Sequence, residues 1–224
     1  MTKPSWRHIL LRGARTFPSV PWRAQHRWRT RPLTLAVLLL GFTGFGIGDA
    51  LLVISGIGVS PWVVLAQGIS MRTGMSIGAA TFAVSATVLL FWIPLRERPG
   101  LGTVLNAFII GYVMEFAINV LPRPGHPAMQ TLSVLAGIGM VGLGSALYLT
   151  TNLGPGPRDG LMTSLHERTG LRVSRVRMTI EIIVLILGWM LGGIVGIGTL
   201  LFAVLIGRSV ALWLGVLARL THTP

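Results

Sequence analysis

Cysteine is absent from this 224-residue chain. Disulfides, thiol nucleophiles and cysteine-ligated metal centres are therefore excluded, and redox chemistry says nothing about compartment. Acidic residues are nearly as scarce, with 6 Asp and Glu in total. Charged residues of every kind make up 11%, against about a quarter in an average soluble domain. So little charge cannot cover the surface of a water-soluble fold of this length. In its place the chain is 52% hydrophobic, with a mean hydropathy of +0.72. Several apolar runs reach roughly 20 residues, the helix length that crosses a ~30 Å hydrocarbon core. This is the composition of a polytopic membrane protein.

The charge that is present is one-sided: 19 Lys and Arg leave a net charge of +13. An excess of this kind raises the question of nucleic-acid binding, which the placement of the arginines decides. The first thirty or so residues are polar and arginine-rich, and no small-residue cleavage site follows the first apolar run. Neither a cleavable signal nor a twin-arginine address is expected.

Six apolar segments predict membrane spans, over residues 33–54, 76–94, 101–121, 131–151, 176–191 and 198–217. Two further apolar stretches, 59–71 and 155–167, are too short to cross as helices and read as re-entrant or interfacial. With the N-terminus inside, Lys3, Arg7, Arg12, Arg15, Arg23, Arg27, Arg29 and Arg31 lie on the cytoplasmic face. Arg96 and Arg98 follow them there, as do Arg158, Arg168, Arg172, Arg175, Arg177 and Arg219. Only Arg72 and Arg123 fall outside, and Arg208 lies within the last span. That distribution is the positive-inside pattern. The arginines thus sit where insertion alone puts them, no nucleic-acid motif accompanies them, and a nucleic-acid partner is not expected. The tail, with Trp6, Trp22 and Trp28 among its basic residues, reads as a segment lying on anionic lipid headgroups or as a solvated orientation signal.

The chain also repeats itself. Residues 41–121 align without a gap onto 137–217, with roughly 23 identities over about 81 positions. Gly46-Ile47-Gly48-Asp49-Ala50-Leu51 matches Gly142-Leu143-Gly144-Ser145-Ala146-Leu147, and Arg72-Thr73-Gly74 matches Arg168-Thr169-Gly170. Gly58 and Pro61 match Gly154 and Pro157. Each copy holds three spans, an odd number, so the second enters the membrane from the opposite side. The predicted fold is an all-α membrane bundle of six spans in two inverted three-helix repeats, each with a short broken helix. Its divisions are a basic tail (1–32), the first repeat (33–121), an extracytoplasmic linker (122–130), the second repeat (131–218) and a C-terminal tail (219–224). An inner membrane, with both termini cytoplasmic, is the expected location.

Broken helices at equivalent positions point to the binding site of inverted-repeat carriers. Here Gly58, Pro61 and Trp62 in one repeat correspond to Gly154, Gly156, Pro157, Arg158 and Asp159 in the other. Each set interrupts an apolar run with glycine and then offers proline where a helix can restart. An interfacial helix, with Trp62 in the aromatic belt, fits the same residues. The run Leu153-Gly154-Pro155-Gly156-Pro157-Arg158-Asp159-Gly160-Leu161-Met162-Thr163 resembles the YczE-type bacterial integral membrane proteins, relatives of the YitT group. The resemblance covers about residues 33–217 and implies a small multi-spanning inner-membrane protein without assigning chemistry. Where it leads one to expect an acid after the Pro61-Trp62 pair, this chain has Val63, so no symmetric acidic role is implied.

Four charges fall inside spans: Asp49, Glu115, Glu181 and Arg208. Intramembrane charge faces a partner or a cavity. Arg208 is expected to pair with Glu115, in the equivalent span, or with Asp49; Glu181 is expected to snorkel beside Arg175 and Arg177. Gly137, Gly139 and Gly142 satisfy G-x-G-x-x-G, but inside a span they are packing positions. Gly44 with Gly48, and Gly188 with Gly192, read as close approach within one monomer rather than a homo-oligomer face. His8, His26, His126, His166 and His222 are scattered, so no metal, no cofactor and no enzyme activity are expected. The functional expectation is a small-solute permease or exporter. Its rival is a scaffold acting on a membrane-bound partner through the arginine-rich segment 158–177.

Overall fold

The computed structural model describes Pro18 and residues 20–221. Lys3, Trp6, Arg7, Arg12 and Arg15, on which part of the lipid-binding expectation rests, lie outside the described residues. Among the described residues there are eight helices: α1 (Pro32–Ser55), α2 (Pro61–Thr73), α3 (Ile77–Leu95), α4 (Leu101–Val120), α5 (Pro127–Thr150), α6 (Pro157–Thr169), α7 (Val173–Met190) and α8 (Ile197–Thr221). Among the described residues there is no strand beyond one isolated bridge between His26 and Arg29.

The helix ends follow from local chemistry. Proline opens α1, α2, α5 and α6, where its missing N–H costs nothing. Left-handed glycines close α1, α2 and α6, at Gly56, Gly74 and Gly170. Five helices, α1, α3, α4, α5 and α8, are long and apolar enough to cross a membrane. The remaining predicted span, 176–191, corresponds to α7, which has 18 residues but carries Arg175, Arg177 and Glu181 in its first half. The two short stretches form α2 and α6, both 13 residues long.

The centre of the bundle is the crossing of α1 and α5. A Cβ on Gly48 would lie 2.8 Å from the Gly137 carbonyl oxygen, and one on Gly41 would lie 3.0 Å from that of Gly144. These two contacts are the same contact exchanged, since Gly41 aligns with Gly137 and Gly48 with Gly144. Helix α4 packs on α1, and its counterpart α8 packs on α5. Helix α2 lies against α7 and α3, while α6 lies against α3 and α7. One relation is not exchanged: α3 packs on α4, whereas α7 and α8 stand apart.

The loops before the short helices are pinned across the two halves. The Gly198 amide donates to the Ile57 carbonyl at 2.8 Å, and the Gly102 amide donates to the Leu153 carbonyl at 2.8 Å. Gly58 and Gly154 hold φ of 118° and 113°, and a Cβ on either would come within 2.7 Å of the Thr199 or Thr103 hydroxyl. Both sides of α3, about 28 Å apart along its axis, carry arginine contacts. At the Leu95 end, Arg27 reaches Glu97 at 3.4 Å and Arg168 reaches the Pro94 carbonyl at 2.9 Å. At the Ile77 end, Arg72 binds the Leu191 carbonyl at 3.2 Å.

The described part of the tail is docked on protein. Trp22 donates its indole N–H to Thr150 at 3.1 Å, and the Ala24 amide donates to the Thr151 carbonyl at 2.9 Å.

Gly58→Ala and Gly154→Ala each combine a left-handed backbone with a blocked Cβ. Either is predicted to cost about 1–3 kcal/mol, lowering Tm by roughly 2–4 °C per kcal/mol. Gly56→Ala, which has open space around its Cβ, loses less in the same detergent melting measurement.

Candidate functional site

Helices α2 and α6 start inside the bundle, and both starts face one cavity of about 260 Å³. That is just under the range of about 300–1,000 Å³ typical of drug-sized ligand sites, so the space suits a small occupant. Ser60, Pro61 and Trp62 line it from α2, and Gly156, Arg158 and Asp159 line it from α6. Neither helix has a side-chain cap at its N-terminus. Their first amides therefore carry the partial positive charge of an uncapped helix start.

The α6 start is fixed by its neighbours. The Trp92 indole N–H donates to the Pro157 carbonyl at 3.1 Å, and the Thr103 hydroxyl donates to the Pro155 carbonyl at 2.8 Å. Gly160 has no side chain because the Trp92 ring occupies that space. At the exchanged position the sizes are reversed: Gly188 makes room for Val64 and Leu65.

The charged side chains around the cavity are unequally partnered. The Tyr148 hydroxyl donates to the Asp159 carboxylate, and Arg177 pairs with Glu181 at 2.8 Å. Arg158 forms no ion pair among the described residues; its guanidinium lies over the Trp62 ring, 5.1 Å from the centroid, a cation–π arrangement. The Ser60 and Thr81 hydroxyls line the same space, each is only 2% exposed, and neither has a hydrogen-bond partner. Thr103, also buried, shows the usual arrangement, with its hydroxyl bonded.

The predicted binding residues thus divide. Pro61, Trp62, Gly156, Arg158 and Asp159 are at the cavity. Gly58, Gly154 and Pro157 act one step back, holding the loops and the α6 start. Glu181 is paired with Arg177, one of the two arginines expected beside it, and the pair lines the cavity.

The expected partners of Arg208 are corrected. Arg208 is exposed on α8 and makes no ion pair among the described residues. Helix α4 packs on α1 and α3, while α8 packs on α5, and Glu115 and Arg208 form no ion pair among the described residues. Glu115 instead accepts the Gly78 amide at 2.8 Å, a carboxylate at the start of α3 where the helix dipole favours it. Asp49 is 0% exposed and forms no ion pair with Arg208 among the described residues.

With this geometry in place, comparison with known proteins is informative. Residues 32–214 match the model of a family of unknown function, DUF6198. An uncharacterized membrane protein of Bacillus subtilis, YczE, is 32% identical over 182 residues, covering 81% of this chain and 82% of its own. The chain belongs to the YczE-type membrane protein family. An uncharacterized protein of Haemophilus influenzae is 43% identical over 210 residues, covering 94% of this chain and 96% of its own. Another B. subtilis relative, the uncharacterized protein YyaS, is 28% identical over 184 residues, 80% of this chain and 92% of its own. No solved structure matches. Family membership and the apolar helices place the chain in a membrane as a multi-pass protein in contact with the lipid bilayer.

Sequence reasoning missed Tyr148, Ser60, Thr81 and the cavity role of Arg177. Tyr148 had one available signal, as one of only 2 tyrosines in the chain, set in an apolar span. Tyr148→Phe and Asp159→Asn are predicted to be coupled. A double-mutant cycle in detergent unfolding is expected to return about 1.5–3 kcal/mol, the range of hydrogen bonds to charged groups; additive losses would mean the hydroxyl and carboxylate act separately.

Proposed function

We propose that this protein is a small-solute permease of the bacterial inner membrane, with the cavity between α2 and α6 as its solute site. In this reading α7 completes the six spans, both termini are cytoplasmic, and the two halves are inverted repeats. The observation that carries it is the convergence of two broken-helix starts, from equivalent places in the two halves, on one small polar cavity. Discontinuous helices meeting in this way form the solute sites of inverted-repeat carriers, where unpaired backbone groups take the place of water. The exchanged pinning of the loops supports the inversion. A two-fold exchange of contacts lets one half rock against the other about α1 and α5. The sparse packing between α7 and α8 leaves that side of the cavity free to move, and the protein performs no chemistry on what passes.

The absence of cysteine provides a test that needs no substrate. Ser145 lines the cavity, and Ser145→Cys introduces the chain's sole thiol. A membrane-impermeant maleimide is expected to label it from the cytoplasmic face in inverted vesicles and from the outer face in spheroplasts, because alternating access exposes the site to each in turn. A thiol sealed from both faces overturns the permease reading and favours a scaffold acting through the arginine-rich segment 158–177.

A further inference from the structure

We infer that the cavity binds a small oxyanion on Arg158. The inference rests on the permease reading and names its solute class.

The anion follows from what the cavity leaves unpaired. Both acids that line it are engaged, Asp159 by the Tyr148 hydroxyl and Glu181 by Arg177. Arg177, the other arginine in the wall, is held by that same pair. Arg158 remains as a cation without a carboxylate partner among the described residues, parked on Trp62. Around it lie two uncapped helix starts and two buried hydroxyls, Ser60 and Thr81, with no partner among the described residues. All of these can donate hydrogen bonds to an oxyanion, and a helix start with a nearby arginine is a natural anion site.

The test is equilibrium binding to the purified full-length protein by titration calorimetry. The probes are lactate, nitrate and sulfate against chloride at equal ionic strength, chosen because their own charge is constant between about pH 5.5 and about pH 7.5. Saturable binding of at least one probe is expected. Arg158→Gln is expected to weaken binding about 10- to 100-fold. Wild-type protein alone suffices to overturn the inference: no saturable binding of any probe does so whatever the variants do. If Ser145→Cys is reached from both faces but no probe binds, this inference fails while the permease reading stands.

Discussion

The structure depends on the close crossing of α1 and α5. Four glycines, Gly41, Gly48, Gly137 and Gly144, bring the two backbones into contact along this line. In a bilayer there is little hydrophobic drive between helices, so small residues that allow backbone approach are a principal source of association. Because the four come from equivalent positions, the crossing imposes an exchange relation on everything attached to it. The loop that leaves α1 lands on the start of α8, and the loop that leaves α5 lands on the start of α4. Both broken helices then begin at the same internal space. A larger residue at the crossing would spread the helices and separate the two starts.

The exchange is not perfect, and its departures carry chemical meaning. Trp92 fills the place opposite Gly160, where the other half sets Gly188 against Val64. Arg158 and Asp159 occupy the places of Trp62 and Val63, so a largely apolar helix start faces a charged one. Asp49, whose counterpart is Ser145, adds a buried carboxyl to one side alone. A symmetric scaffold thereby builds an asymmetric site, with its cation on one broken helix alone.

Much of this architecture was legible in the sequence. Proline and glycine punctuate the chain at Pro61, Gly74, Pro157 and Gly170, which is why the short helices were placed to within about two residues. The gap-free alignment of the halves indicated which positions are equivalent. It did not indicate which of them touch, and this is why Glu115 was wrongly matched to Arg208: the equivalent spans in contact are the glycine-lined ones. The closeness of Glu181 to Arg177 was legible from their i,i+4 spacing, but not that the pair lines a cavity. Ser60 and Thr81 were invisible for a different reason. Hydroxyl residues in apolar helices commonly satisfy themselves on nearby backbone, as Thr87 does on the Ala83 carbonyl, and their isolation exists only in the folded arrangement.

The inversion of the two halves depends on α7 crossing the bilayer despite its charged first half. Both Val173 and Met190, at its ends, are exposed, and the native chain has no competing thiol. Labelling of Val173→Cys and Met190→Cys by a membrane-impermeant maleimide, in spheroplasts and in inverted vesicles, reads the two ends separately. The account predicts that Val173→Cys reacts from the cytoplasmic face and Met190→Cys from the outer face. Reaction of both from one face would contradict it.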